Sequence, residues 1–347
     1  MKVLYGVQAT GNGHITRARV MAPALAKAGV EVDYLFSGRA PDGFFNMEPF
    51  GEYQCKRGLT FYMEGSKVDK WKTLTGNNPL RLVQDILALN LDDYDLVITD
   101  FEPVTAWAAK LKGVPSIGIA HQYAFLHQLP DSKSGFFFRH QIKCFAPAKI
   151  AVGIHWHHFN QAICPPLIQP PLFPPAKCAN KIVVYLPHDN VEMIKRALAV
   201  HSAYDFFVYA PVDQALDDGN VHFRPFAREG FHRDLSDCAG VICNSGFGLL
   251  SEAIQYGKKI LTLPQLGQAE QESNAEVLEH LGLGTVIHDL YSERVAQWLA
   301  LPMPEPQLFP DLATVLAEWI AAGCNRTVQS VVDDAWSRTC RPSVSGG

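Results

Sequence analysis

Short apolar runs recur along the chain, each followed by a turn of small or polar residues and then by a segment of helical period. In the first half they are 2–7, 30–36, 95–99, 116–120 and 148–153. In the second they are 181–186, 204–210, 221–224, 239–243 and 260–263. Apolar runs of this length without alternation predict strands buried on both faces, as in parallel sheets. Between them, apolar positions at helical spacing predict helices over 15–29, 80–90, 104–112 and 191–200, after Gly246, from near Gln271, and over 292–299, 310–322 and 327–334. Strand and helix in alternation predict α/β units with right-handed crossovers. Paired prolines between 164 and 180 read as a stiff, extended connector. The expected organisation is a first Rossmann-like domain over 1–163, a linker over 164–180 and a second domain over 181–340. The small polar tail 341–347 is expected to fray.

A length of 347 residues is too great for one small core and fits two domains, and 48% hydrophobic with 19% charged residues excludes a disordered chain. No apolar run approaches the ~20 residues that span a bilayer, and residues 1–7 read as a strand rather than a secretory signal. Eight cysteines lack a CxxC pair or metal spacing, so reduced thiols in a cytoplasmic protein are expected. Residues 1–165 carry 17 Lys and Arg against 14 Asp and Glu, and residues 166–347 carry 13 against 21. The acidic second half argues against nucleic acid as a partner. The mildly basic first half is compatible with a phosphate-bearing acceptor or with peripheral contact at the inner face of a membrane.

The chemistry concentrates at strand ends. The strand 239–243 stops at Asn244-Ser245-Gly246-Phe247-Gly248, where a helix begins, and Gly257 is placed to end it as a left-handed C′ residue. Strand, glycine turn and helix N-terminus make an anion site out of backbone N–H groups and the helix dipole. Glu252, one and a half turns in, can reach back. A carboxylate there repels phosphate but suits the paired hydroxyls of a ribose. After the first strand, Gly11-Asn12-Gly13-His14 lacks the spacing of a dinucleotide fingerprint. Its glycines let the loop pass close to a pyrophosphate, and His14 stands at the helix entrance. Asp100 and Glu102 sit where ligands bind in open α/β sheets, and in an extended segment both would point the same way. Of the three candidate bases, a histidine accepts a proton near neutrality without help, whereas a carboxylate needs burial. His155, His157 and His158 lack partners at ligand spacing, so they are expected to line the cleft or the hinge rather than hold a metal. Aromatic and basic residues interleaved over 38–80 suggest an acceptor-side flap, and 135–140 a core helix or a lipid-touching face.

Ser245-Gly246, Ser251-Glu252, Gly257, Pro264, Gln271-Glu272 and Asn274-Ala275 follow one another in an order and spacing that resembles the donor motif of GT-B glycosyltransferases. The resemblance is closest to the family 28-like enzymes typified by the peptidoglycan N-acetylglucosaminyltransferase, which moves its sugar from a UDP donor to a lipid-linked acceptor. The Gly-His loop at 11–14 is similar to that family's first loop. The resemblance implies two Rossmann-like doubly wound domains facing across a cleft, and an inverting, metal-independent transfer with no cofactor beyond the nucleotide-sugar substrate. It also implies that Ser245, Gly246, Phe247 and Gly248, with Gly11, Asn12 and Gly13 opposite, meet the pyrophosphate. Phe226 and Ala227 would seat the base, Glu252 the ribose, and Gln271 and Glu272, with Asn274 beside them, the sugar. The base would be His14, Asp100 or Glu102, and the acceptor a hydroxyl on a cell-envelope glycan or lipid. The chain departs from the family at Gln271-Glu272, often Gln-Gln or Asp-Gln, and at 187–190, glycine-rich in relatives. A UDP-sugar 2-epimerase or a non-catalytic nucleotide-sugar-binding subunit shares the architecture and differs in its products.

Overall fold

The structure, a computed structural model, describes residues 1–60, 63–64, 67–68, 76–130, 136–174, 176 and 178–338. Each of the ten expected strands is present. The first sheet contains β1 (Lys2–Gln8), β2 (Glu31–Ser37), β3 (Tyr53–Lys56), β6 (Leu96–Asp100), β7 (Ser116–Ala120), β8 (Ile150–Ile154) and β9 (Ile163–Cys164). A two-stranded pair, β4 (Met63–Glu64) and β5 (Lys67–Val68), stands apart. The first sheet is parallel throughout, in the order β3-β2-β1-β6-β7-β8-β9. Apolar residues on both faces of β1, β6 and β7 are buried under helices, which is why these strands read as continuous apolar runs. At Gly6 the covering helix comes so close that a Cβ would lie 1.9 Å from Thr105 Oγ1, so only glycine fits.

The second sheet contains β10 (Lys181–Tyr185), β11 (Asp205–Tyr209), β12 (Leu216–Asp218), β13 (Val221–Arg224), β14 (Gly240–Asn244), β15 (Lys259–Leu263) and β16 (Thr285–Val286). Its order is β12-β13-β11-β10-β14-β15-β16, with only β12 antiparallel. In each sheet the chain first builds outward from one central strand and then returns to that strand's other side. This leaves a topological switch point between β1 and β6 and another between β10 and β14, where ligand crevices form in such sheets.

The helices are α1 (Asn12–Lys27), α2 (Pro79–Ala88), α3 (Pro103–Lys112), α4 (Phe136–Phe145), α5 (Val191–Leu198), α6 (Arg228–Asp237), α7 (Phe247–Gln255), α8 (Ala269–His280), α9 (Ser292–Leu299), α10 (Leu312–Ala321) and α11 (Val328–Ser337). Gly257 takes φ +63° after α7, the left-handed stop its position suggests. The outer face of α1 packs against α10 and α7. At the end of α11, Trp336 Nε1 donates to the Ile163 carbonyl at 2.8 Å.

Two expectations are corrected. The start of the connector is packed rather than free: residues 163–167 and Gln169 are buried, and Cys164 belongs to β9, its carbonyl accepting from His155 N. Phe44, Phe50 and Tyr53 do not form a flap. Their rings close on Phe36 at 4.9–5.7 Å and extend the core. The polar stretch Arg228–Asp237, which the sequence pattern leaves unassigned, is a helix; it buries only Leu235 and Ser236, too little apolar periodicity to betray it. Phe61, Tyr62, Lys70, Trp71 and Lys72 of the proposed flap, Gly135 of the apolar-basic stretch and the tail 341–347 lie outside the described residues.

Candidate active site

At the first switch point β1 runs into α1, whose N-cap is Gly11 with no side-chain cap, and the next strand across, β6, ends at Asp100. Gly11, Asn12 and Gly13 are exposed, and a Cβ on Gly11 would meet nothing within 4 Å, so the first N–H groups of α1 face open space. His14 Nδ1 lies 2.8 Å from Asp100 Oδ1. Arg17, three residues on and therefore on the same side of α1, grips the carboxylate in a fork: Nε donates to Oδ2 at 3.0 Å and Nη2 to Oδ1 at 2.6 Å. Burial alone would raise the Asp100 carboxyl, but Arg17 and then His14 outweigh it and hold it below its ordinary value. Asp100 is thus a fixed anion beside the imidazole. The Arg17 contribution was absent from the sequence reading, although its i, i+3 spacing from His14 was visible.

Asp100 and Glu102 part company because Phe101 between them adopts φ +54°, a left-handed conformation that is costly for an aromatic residue. The chain turns there, and Glu102 points back into the fold as the N-cap of α3. Its oxygens accept from Val104 N at 2.8 Å, Thr105 N at 2.7 Å, Thr105 Oγ1 at 2.7 Å and Ser37 Oγ at 2.6 Å. Fully buried and surrounded by donors, it cannot reach a substrate proton. Glu102 as a base is therefore corrected to a structural cap.

At the second switch point α7 begins after Gly246, again without a side-chain cap and with no acidic residue in its first turn. A Cβ on Gly246 or Gly248 would meet nothing within 4 Å. The polar side chains around this turn are occupied with one another. Ser245 Oγ bonds Thr262 Oγ1 at 2.9 Å, and Gln271 Oε1 accepts from Ser245 N at 3.2 Å and from Gln265 N at 3.0 Å. Asn274 Nδ2 donates to the Ser245 carbonyl at 2.9 Å, and Glu272 Oε1 accepts from Gly267 N at 3.0 Å. Asn274 is fully buried. Ser245, Gln271, Glu272 and Asn274 thus shape the turn with their side chains.

Glu252 is almost wholly buried, with His232 Nδ1 3.8 Å from its Oε2. Burial lifts its carboxyl to about 7, against the pull of Arg228, and burial together with Arg228 and Arg19 drops His232 to about 4. Both groups are therefore biased toward their neutral forms. Phe226 stands half-exposed after β13, its ring edge-on to Tyr185 at 6.0 Å, and Ala227 is exposed beside it as the N-cap of α6.

The two edges touch through side chains. His121 Nε2 lies 2.6 Å from Asn274 Oδ1, and its ring stacks on Phe247 at 3.8 Å. Gln122 Nε2 donates to Glu270 Oε2 at 2.8 Å, and Trp156 Nε1 to Ser251 Oγ at 2.8 Å. Glu270 and Asn274, rather than Gln271 or Glu272, are the α8 residues that these bonds join to the first half. The three histidines after β8 serve their own backbone: His155, His157 and His158 accept at Nδ1 from Trp156, Phe159 and Asn160 N–H groups. Among the described residues no helix is long and apolar enough to cross a membrane.

Three solved structures align along nearly the whole chain. SnogD from Streptomyces nogalater, a glycosyltransferase, is 17% identical with TM-score 0.55, covering 96% of each chain. Glycosyltransferase VinC, solved in complex with DTDP, is 16% identical with TM-score 0.55, covering 98% of this chain and 99% of its own. CalG4, the calicheamicin glycosyltransferase, is 16% identical with TM-score 0.58, covering 99% of both. At such identities the likeness establishes the fold. No curated protein matches the chain. The profile described as glycosyl transferase family 1 matches residues 1–302, so the chain belongs to that family, and its paired parallel-sheet domains are those of a GT-B glycosyltransferase.

Proposed function

We propose that this protein is an inverting, metal-independent glycosyltransferase that moves a hexose or N-acetylhexosamine from a UDP-linked donor to an acceptor hydroxyl. The observation that carries the reading is the His14–Asp100 pair at one switch point, matched by an uncapped helix N-terminus at the other. Nδ1 of His14 faces both Asp100 Oδ1 at 2.8 Å and Arg17 Nη2 at 2.6 Å; in the tautomer this reading uses, Nδ1 donates to Asp100 and Nε2 carries the lone pair. Nε2 takes the acceptor's hydroxyl proton as its oxygen attacks the anomeric carbon, and the bond to the diphosphate oxygen breaks on the opposite face. The charge released on the diphosphate is met by the N–H groups opening α7 and by the Gly11–Gly13 loop, dipoles already in place before the reaction. Arg17 keeps Asp100 ionised, so the imidazolium formed in the step has a counter-ion.

Glu252 meets the ribose hydroxyls through its carboxyl oxygens, and the exposed Phe226 ring offers the base a stacking face. The resemblance of the motif from Ser245 to Ala275 to that of the peptidoglycan enzymes supports a glycan or lipid acceptor, and with it a cytoplasmic protein working at the inner face of the membrane. VinC's DTDP makes a thymidine diphosphate donor the main competitor for the base. Mass spectrometry after incubation with UDP- and dTDP-sugars, with and without hydroxyl acceptors, tests the reading. Transfer to an acceptor supports it; release of an epimer, or tight UDP binding without turnover on any acceptor, overturns it.

A further inference from the structure

A cavity of about 870 Å³ lies on the outer face of α1, and none of His14, Asp100 or Glu252 lines it. Both halves of the molecule build it: Arg19 and Lys27 come from α1, Gln169 from the connector and Arg228 from the start of α6. Three cations and three acids line it, but two of the acids are engaged with partners other than the two arginines. Of the three acids in the wall, Glu229 is paired with Arg233 at 2.9 Å, and Asp311 caps α10 through Thr314 N and Oγ1. Glu48 makes no ion pair among the described residues. Arg19 donates from Nε and Nη2 to the Asn46 and Phe45 carbonyls, leaving Nη1 without an acceptor. Arg228 spends only Nη2, on Gln169 Oε1 at 2.6 Å. The amide of Gln169, itself 7% exposed, leaves Nε2 buried without a partner. Burial first, then the charge of Arg228, lowers Arg19 to about 10, with Glu48 pulling the other way.

Arginine donors from both halves that are hydrogen-bonded to neutral oxygens, together with a buried amide N–H left over, make a site that wants oxygen acceptors bearing negative charge. Val20, Pro23, Ile168 and Phe309 line the same space and give it an apolar wall. We propose that this cavity is a second ligand site, separate from donor and acceptor, for an organic oxyanion. Its phosphate or carboxylate lies between Arg19 and Arg228, and its apolar body lies along α1. Because the walls come from both halves, its occupant bridges α1 and α6.

The test uses the full-length protein with phenyl phosphate, benzoate and inorganic phosphate as probes in titration calorimetry. Phenyl phosphate or benzoate is expected to bind, inorganic phosphate roughly tenfold more weakly for want of the apolar contact. Arg19→Gln and Arg228→Gln are each expected to weaken the organic probe by roughly tenfold or more. Lys27→Gln, at an exposed position where folding is not at risk, is expected to weaken it a few-fold. Saturating UDP should leave the probe's affinity within about twofold. Displacement by UDP, wild-type affinity in all three variants, or no binding of any probe would each overturn the proposal.

Discussion

The two switch points are built alike but leave different things facing the cleft. In the first, side chains converge: His14, Arg17 and Asp100 share one carboxylate within 3.0 Å. In the second, side chains turn inward, with Ser245, Gln271 and Asn274 bonded to one another's loops, and the open surface is the backbone of Gly246 to Gly248. One edge offers a group that can gain and lose a proton; the other offers N–H dipoles that cannot. A transfer needs both, because the attacking hydroxyl must shed a proton while the departing diphosphate must be met by donors that do not move.

The sharpest way to break this division is to remove the proton acceptor. His14→Ala is expected to lower kcat by about 10² or more with UDP affinity within a few-fold, because the proposed nucleotide site lies on the opposite edge. Should Asp100→Asn abolish turnover while His14→Ala raises only KM, the aspartate is the base and the contrast fails. Glu102→Ala comes next in size but in a different quantity. Losing four hydrogen bonds to a buried cap should cost about 2–4 kcal/mol of stability, read by denaturant unfolding, with kcat per folded molecule little changed.

On the second edge the expected losses are in binding. Glu252→Ala should weaken UDP by about 1–3 kcal/mol in calorimetry, and unchanged affinity in a folded variant removes the ribose assignment. The Glu252 carboxyl, at about 7 when folded and near 4.5 otherwise, also makes stability depend on pH. The folded state holds this proton more tightly, so the contribution of Glu252 is intact below about 4.5 and is lost as pH rises toward 7. Glu252→Gln should therefore raise the unfolding midpoint at pH 8 more than at pH 5; equal shifts at the two values refute the linkage. The smallest effect expected is none: chelation with EDTA should leave turnover largely intact, and loss restored by Mg²⁺ would mean that dipoles alone do not meet the diphosphate.

Strand positions were legible because burial on both faces writes itself as unbroken apolar runs, and both glycine turns were legible because a strand followed by Gly-rich residues has few other uses. What the pattern could not carry was direction. Asp100 and Glu102 look equivalent two residues apart, and only the left-handed Phe101 between them sends one to His14 and the other into α3. Gln271 and Glu272 sit where a sugar contact is expected, yet the first turn of α8 presents Glu270 to the other half instead. α6 went unread because its polar residues face outward and it buries little. Arg17 was hidden by its type, since an arginine in a helix reads as surface unless the distant carboxylate it serves is already known.

Trp156 carries one more consequence. It is fully buried, stacked on Phe247 at 5.2 Å and hydrogen-bonded through Nε1 to Ser251, so its indole belongs to the first half and its surroundings to the second. Any parting of the halves strips both contacts at once and exposes the ring to water. The protein thus contains its own optical gauge: opening and closing should appear as a shift in the emission of a single native chromophore, and with five phenylalanine substitutions at the other tryptophans the exchange could be followed in real time without a label.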